Sequence, residues 1–404
     1  MFNLTNDIPR LRPVAVSRRD LLRFAVAGAT AAVATPRTVS ATSAAAVKIE
    51  EPFDGAILHH RHGKLSADGL KVTVSGTAPD SEMVTVNGQL ARREGDKFIG
   101  EVVLRQQVTE IVAALRGDSL RGEDRVQVVW DRHSRPRYHF AVDDNSFFLR
   151  DIARQKYTSL FDCFYLKTFR DLHRKYRTRF SLNVYYAADD GFTLTQFPDR
   201  YKSEWKDNAD WLKLAFHAYA DAPARPYQEA PAEKLIGDYD LVAEQIHRFA
   251  GAETFAPPTN LHWSMATPEG LKALRQRGVR VLSGYFAKIQ GRWDINYNFD
   301  ARRSEYVSKH DLWMDFQSGI IFIRDAIVCN STPVDQVAQT LDPLAREPDR
   351  RETVNLLTHE QYFWPFYRAY VPDHVQRCEA AIRWATDHGY QPVFFHEHFL
   401  GGPE

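Results

Sequence analysis

The sequence predicts two folded domains of different class, a β-sandwich followed by a (β/α) barrel of seven or eight strands, and three observations carry that reading. Between about residues 47 and 130, short runs of alternating apolar and polar residues recur between Gly, Asp and Asn turns, the pattern of half-buried strands. From residue 138 the period changes, and short apolar runs alternate with helix-like stretches. A length of 404 residues leaves room for two or three domains at ~100–200 residues each, and 44% hydrophobic with 26% charged residues is the composition of a chain with a buried core.

The charge balance excludes some partners. Lys plus Arg, 52, equals Asp plus Glu, 52, so no bulk field draws in nucleic acid or an anionic membrane. Three widely spaced cysteines, Cys163, Cys329 and Cys378, form neither a disulfide framework nor a CxxC metal knuckle. The 17 Tyr, 25 Phe and 8 Trp suit a sugar-stacking surface as well as a core.

Residues 1–44 read as an address. Ser17-Arg18-Arg19-Asp20-Leu21-Leu22-Arg23 precedes an Ala-rich apolar run, 24–34, too short to span a bilayer. This resembles a twin-arginine export signal, with Leu21 where that signal often has Phe. Val39-Ser40-Ala41 and Thr42-Ser43-Ala44 offer small-x-small cleavage sites. The resemblance implies the twin-arginine translocase as a partner and a secreted or periplasmic mature protein. No other segment is long and apolar enough to cross a membrane.

The sandwich is expected over residues 45–131, with strands at 70–76, 83–88, 98–104, 110–115 and 126–130. Asn87-Gly88 predicts a hairpin, because this pair tolerates the positive φ angles of a type I′ turn. Val74-Ser-Gly-Thr-Ala-Pro79 followed by Val84-Thr-Val-Asn-Gly88 resembles the immunoglobulin-like modules appended to secreted carbohydrate-active enzymes. His59-His60-Arg61-His62 reads as a solvated loop, with metal binding as the other reading. Residues 132–137, charged and containing a proline, are expected as a linker.

The barrel is expected over 138–404. Strands fall at 138–142, 180–185, 212–216, 254–256, 279–282, 320–323, 354–357 and 393–395, and helices at 160–176, 239–250, 268–278 and 373–389. No glycine-rich phosphate loop follows the first strand. Barrel chemistry collects at the C-terminal strand ends, and there the sequence repeatedly places polar groups: Asp143-Asp144, His217 to Asp221, His262-Trp263, Thr358-His359-Glu360 and His396-Glu397-His398. Any one of these alone reads equally well as a cap or turn residue. Adjacent acids can divide labour, one ligating a cation and its neighbour accepting a proton from activated water. His217 and Asp221, four apart, can face the same divalent cation as Asp144, a donor set suited to Zn, Mn or Co.

Residues 138 to about 402 resemble the polysaccharide deacetylase superfamily. Phe140-Ala-Val-Asp143-Asp144-Asn145 matches its first motif, which implies Asp143 as the base and Asp144 as a metal ligand. Its second motif carries two histidines four apart; His217 matches the first, and Asp221 stands at the second. Leu356-Leu357-Thr358-His359 matches its late strand end, which implies His359 as general acid. The arginine-containing motif is replaced by Ala256-Pro257-Pro258-Thr259-Asn260. The Phe216-His217, His262-Trp263 and Thr358-His359-Glu360-Gln361-Tyr362 stretches are similar to an uncharacterised deacetylase-like subgroup.

The expectation is thus an exported, metal-dependent hydrolase removing N- or O-acetyl groups from a polysaccharide or oligosaccharide, with His262, Trp263, Glu360, Tyr362 and His396 as substrate contacts. Structural readings stand beside these: a buried His262-Trp263 pair, and an aromatic helix over 362–367 packed on the barrel. Two other functions stay open. One is a glycosidase or lyase pairing Asp143 with Glu360 or Glu397; the other is a glycan-binding protein built on a decayed enzyme.

Overall fold

The computed structural model describes residues 47–80, 82–116, 122–310, 312–346 and 352–397. The expected export signal at 1–44 and His398 lie outside them.

Ten strands build the first region: β1 (Lys48–Glu51), β2 (Ile57–Leu58), β3 (Lys64–Ser66), β4 (Gly69–Thr77), β5 (Val84–Val86), β6 (Gln89–Leu90), β7 (Arg92–Glu94), β8 (Lys97–Leu104), β9 (Val108–Leu115) and β10 (Glu123–Trp130). One sheet runs β1-β4-β8-β7, with β3 on β4; the other runs β2-β10-β9-β5-β6. All neighbours are antiparallel except β2 and β10. Alternation sets the inner faces, so Leu70, Val72, Val74, Phe98, Ile111, Ala113, Val126 and Val128 are buried between the sheets. Asn87 and Gly88 both take positive φ, 45° and 80°, between β5 and β6, as the hairpin requires.

The α/β region follows. Seven parallel strands lie in the order β14 (Phe255–Ala256), β13 (Leu212–Ala218), β12 (Phe180–Tyr185), β11 (Arg137–Asn145), β20 (Thr353–His359), β19 (Ile320–Val328) and β15 (Val281–Gly284). No ladder joins β14 to β15 among the described residues, and a single bond from Ser283 N to Thr259 O, 2.7 Å, links the two edges. The barrel is thus of seven strands and is incompletely closed. The antiparallel strand β18 (Leu312–Asp315) pairs with β19, and the two-residue strand β21 (Gln391–Pro392) pairs with the start of β11. A hairpin of β16 (Ala287–Ile289) and β17 (Arg292–Asp294) follows β15. No ladder for 393–395 appears, because that segment crosses the barrel floor instead, where Val393 N donates to Tyr138 O and Phe395 stacks on His139.

The helices are α1 (Phe147–Gln155), α2 (Phe164–Tyr176), α3 (Lys202–Asp207), α4 (Ala232–Phe249), α5 (Pro268–Gln276), α6 (Ala301–His310), α7 (Val334–Arg346) and α8 (His374–Asp387). Their apolar stripes face the strands, as in α2, where Tyr165, Leu166, Phe169 and Leu172 are buried. Helix α5 shows its start signal in sequence, with Thr267 accepting from Gly270 N and Pro268 in the first turn. No helix among the described residues is long and apolar enough to cross a membrane.

The sandwich and barrel share an apolar seam. Ile57 and Val129 pack with Val281, Leu312, Ile321, Ile323 and Phe395. Met314 N donates to Gly55 O at 2.9 Å, and Trp313 Nε1 donates to Asp54 O at 2.7 Å. Gly55 has φ 85°, and a Cβ there would meet Met314 O at 2.2 Å, so the contact needs glycine. Within the expected linker, Arg137 opens β11 and forms a buried pair with Asp131 at 3.2 Å. The histidine loop is solvated at His60 and Arg61, which are exposed, but not at its first residue. His59 is buried, its Nδ1 accepts from Arg61 N, and burial pushes its imidazole down to about 2.

Candidate metal centre

In a regular strand Asp143 and Asp144 would point to opposite faces. The register between β11 and β12 shifts between Val142 and Asn145, and Asp144 takes φ 63°, so this bulge turns both carboxylates toward the barrel mouth. Asn145 braces it. Its Nδ2 donates to Val142 O and Asn183 O at 2.6 and 2.9 Å, and its Oδ1 accepts from Tyr165 at 2.6 Å.

Asp144, His217 and His262 come together, one donor atom from each lying within 4.8 Å of the others. His217 Nε2 stands 3.1 Å from Asp144 Oδ1, and His262 Nδ1 stands 3.5 Å from the same oxygen. Each imidazole gives its outer nitrogen to a backbone carbonyl: His217 Nδ1 to Asn260 O at 3.1 Å, His262 Nε2 to Asp221 O at 3.0 Å. A carbonyl only accepts, so both outer nitrogens carry hydrogens, and the inner nitrogens, His217 Nε2 and His262 Nδ1, are the ring atoms aimed at Asp144. Burial alone would raise the Asp144 carboxyl, but hydrogen bonds from His217 and His262 and the nearby His359 hold it well below the usual range. Burial opposes charge on His217, and the carboxylates of Asp143 and Asp144 overcome it, raising that imidazole. A carboxylate flanked by two inward-aimed imidazole nitrogens is a donor set that fits a divalent cation with nitrogen and oxygen ligands.

The expected third ligand was Asp221, and His262 takes that place. The Asp221 side chain is 65% exposed, 3.7 Å from His262 Nε2 on the outer side of that ring. The chain after β13 is not helical there, so four-residue spacing brings no common face.

Asp143 is buried beneath this group. Asn183 Nδ2 donates to its Oδ1 at 2.6 Å and Asn260 Nδ2 to its Oδ2 at 2.8 Å. Asn260 is held in turn, accepting from Ser264 Oγ at 2.8 Å and Tyr297 OH at 3.1 Å. The two amides stand in the role of a clamp on the carboxylate, and neither carries a motif visible in sequence. Gln361, also missed, donates from Nε2 to Asp144 Oδ2 at 2.8 Å. His359 caps β20 beside Asp143 and donates from Nδ1 to Asn330 Oδ1 at 2.9 Å.

The expected substrate contacts separate. Trp263 is 39% exposed at the mouth, with its ring 6.2 Å from His262 and the Arg225 guanidinium 5.0 Å from its centre. Tyr362 is half-buried, 6.3 Å from the His359 ring, in a 3-10 turn rather than an aromatic helix. Glu360 is withdrawn from substrate contact. It is fully buried and accepts from Ser146, Phe147 and Phe148 N at 2.5, 2.7 and 2.6 Å and from Trp364 Nε1 at 3.2 Å, so it caps α1. Burial pushes its carboxyl up to about 7 against the pull of those donors. His396 is withdrawn too. It lies under the barrel floor, stacked on Phe394, with burial and the charges of Lys213 and Arg179 lowering it to about 4. Glu397 sits there as well, paired to Arg179 at 3.0 Å. Neither glutamate reaches Asp143, which removes the carboxylate pair that a glycosidase reading required.

No protein-family model and no curated protein matches the chain. Solved structures with some similarity include a peptidoglycan N-acetylglucosamine deacetylase, at 9% identity and TM-score 0.35 over 67% of this chain and 92% of that one. A family 4 acetyl xylan esterase from Clostridium thermocellum, in complex with a cobalt ion, aligns at 10% identity and TM-score 0.33 over 63% of this chain and 86% of that one. A 4-α-glucanotransferase from Thermococcus litoralis aligns at 10% identity and TM-score 0.40 over 65% of this chain and 40% of that one. At scores this low, these likenesses carry no weight for the chemistry of the chain.

Proposed function

We propose that the chain is an exported, metal-dependent hydrolase that removes an acyl group, N- or O-acetyl, from a glycan. The observation that carries this reading is the convergence of Asp144, His217 and His262, with the inner nitrogens of both imidazoles aimed at the Asp144 carboxylate by outer bonds to Asn260 O and Asp221 O.

A divalent cation held there supplies, when bound, an acidified water and a polarised acyl carbonyl. The chain supplies the proton transfers. Asp143, fixed by two amide donors, accepts a proton at a carboxylate oxygen. His359, its Nδ1–H fixed on Asn330, has Nε2 as the atom that gives a proton to the departing amine or alkoxide. Trp263 offers an indole edge and face at the mouth, where a sugar ring can rest. The first-motif and late-strand resemblance supports the acyl class, and the loss of Glu360 and Glu397 as partners weighs against glycosidic cleavage.

The test is a panel of acetylated bacterial and plant glycans, incubated with zinc-, manganese- or cobalt-loaded protein and scored for free acetate and for new reducing ends. Acetate without reducing ends is expected from the wild type, and none from Asp143→Asn. Reducing ends without acetate would overturn the reading. Export is checked separately by changing Arg18 and Arg19 to Lys, which should leave precursor in the cytoplasm.

A further inference from the structure

Ser146 stands at the cap position of α1, yet its side chain makes no bond to the helix, and no acidic residue lies in the first turn. A serine there is a good local cap. The N–H groups of Ser146, Phe147 and Phe148 are served instead from the other end of the domain, by Glu360, at 2.5, 2.7 and 2.6 Å, with Trp364 Nε1 as a fourth donor at 3.2 Å. All four donors are neutral. A fully buried carboxylate held only by neutral groups is a costly way to close a helix end that a neighbouring hydroxyl could close.

What the remote cap does, and a local one does not, is join two segments. Strands β11 and β20 form a parallel ladder whose last rung pairs Asp143 with His359, and no ladder ties the two chains beyond it among the described residues. Glu360 is the next residue past that rung on one side, and Ser146 to Phe148 open the helix that follows Asp143, Asp144 and Asn145 on the other. Its carboxylate bridges the chains where the ladder stops. Helix α1 is a firm anchor, with Phe148, Leu149 and Ile152 buried. The fourth donor is fixed too, because the Trp364 ring packs on Phe147 and Phe164 at 6.2 and 4.6 Å between centres. On either side of the bridge, His359 donates to Asn330 and Gln361 donates to Asp144, so both side chains leave a backbone whose middle residue is tied to α1.

We propose that Glu360 is a positioning residue: its carboxylate, bonded to three amides of α1 and to Trp364, fixes the His359 imidazole against Asp143 at the barrel mouth. The inference rests on the hydrolase reading given above. Glu360 acts through His359, by denying the turn over Glu360–Phe363 the freedom to carry that imidazole away from the atom it protonates. A misplacement of about 1 Å can cost ~10²-fold in rate. Glutamine has the same shape as Glu360 but turns an NH2 group toward N–H donors, which it cannot serve, so Glu360→Gln loosens the bridge without emptying its place.

The experiment uses the full chain loaded with zinc and an acetylated glycan from which the wild type releases acetate. Values of kcat, KM, bound zinc and melting temperature are measured for the wild type, Glu360→Gln, His359→Ala and the double variant. Glu360→Gln is expected to lose about 10–100-fold in kcat with KM and bound zinc near wild type, and to lose less than about threefold where His359 is already alanine, because an absent acid cannot be misplaced. Full kcat in Glu360→Gln overturns the proposal, and so does an equal fold loss in both backgrounds, which is the mark of a cap that only stabilises the fold. Should Glu360→Gln not fold, Trp364→Phe, which removes one donor and keeps a ring in place, decides by the same comparison: a several-fold loss that vanishes in His359→Ala is expected, and full kcat or an equal loss overturns the proposal. A wild type that releases acetate from no glycan overturns the proposed function and this inference together, whereas an active wild type indifferent to Glu360 overturns this inference alone.

Discussion

Asp143 and His359 are register partners on adjacent parallel strands, β11 and β20, so an acid and an imidazole from opposite ends of the domain stand at one height at the barrel mouth. Their side chains are fixed from different sides, Asp143 by Asn183 and Asn260, His359 by Asn330. General acid or base help is typically worth ~10²–10⁴ in rate. His359→Ala should lose that much turnover with metal content unchanged, and combining it with Asp143→Asn should add little, because both act in one chemical sequence. Turnover, melting temperature and bound metal are read on the same sample. A stable His359→Ala protein with full activity would remove the residue from the mechanism.

The ligand set makes a second prediction. His262→Ala should abolish stoichiometric zinc by elemental analysis while the far-UV circular dichroism stays near wild type. Asp221→Ala should keep most of the metal, since its carboxylate lies outside the ring of His262 and is largely solvated. The reverse pattern would restore Asp221 as the ligand and make His262 its support.

Much of the fold was legible because alternation and strand-helix periods are local. The strand over Phe180–Tyr185 and the turn at Asn87-Gly88 follow directly from such patterns. Asp143, Asp144 and His217 were legible because they sit on strand ends in short motifs. His262 reads as a substrate contact in sequence, and its place in the cluster is not legible there, because it comes from an irregular turn after β14, where Trp263 and Ser264 take φ 62° and 47° and no period points inward. Glu360 follows His359 in sequence, yet the chain turns it inward to the three amides opening α1. His396 follows an apolar run that reads as a strand but instead plugs the floor. The charged, proline-containing stretch up to Arg137 reads as a linker because charges usually face water, whereas Arg137 and Asp131 bury against each other.

That buried pair bears on the independence of the barrel. A chain beginning at Arg137 loses Asp131, leaving a guanidinium that is almost fully buried without its carboxylate, and uncovers the seam that Ile57 and Val129 close. Breaking a buried pair costs about 3–5 kcal/mol, a large share of a typical domain's stability. The truncated chain should therefore aggregate or melt well below the full mature chain, by circular dichroism and light scattering. A truncated barrel with an unchanged melting temperature would make the sandwich dispensable for folding.

The barrel floor predicts a pH dependence. His139 is fully buried, its Nδ1 donating to Asn355 Oδ1 at 2.8 Å and its Nε2 accepting from Ser181 Oγ at 2.9 Å, and burial pushes it down to about 4. Its folded value lies below the ordinary ~6.5, so the unfolded chain takes up the proton first. The stabilisation is complete above about 6.5 and is lost as pH falls toward about 4, to the extent of about 3 kcal/mol. Urea midpoints across that window should fall for the wild type and fall less for His139→Gln, which cannot titrate. Parallel curves for the two proteins would place the acid sensitivity elsewhere, with His59 and His396 the next groups to replace.

The last prediction concerns what holds the substrate in place. Trp263 has a left-handed backbone, φ 62°, and its indole lies beneath the Arg225 guanidinium. Arg225 is held by two 2.6 Å bonds to Asp294 at the end of the β16–β17 hairpin. A left-handed Trp persists only where its surroundings over-determine it, and the planar fork of Arg225 supplies such a constraint. Stacking a sugar on the open part of the ring is worth ~0.5–1.5 kcal/mol, so Trp263→Ala should weaken binding of a glycan oligosaccharide about two- to tenfold by calorimetry. Arg225→Lys keeps the charge but loses the two-pronged contact with Asp294, and it should reproduce part of that loss with metal content unchanged. Asp294→Asn should behave like Arg225→Lys, because either change releases the same clamp. Full affinity in Trp263→Ala would show that the indole packs the mouth without touching the glycan. Full affinity in Arg225→Lys and Asp294→Asn, with a loss in Trp263→Ala, would show that the indole holds its position without the clamp.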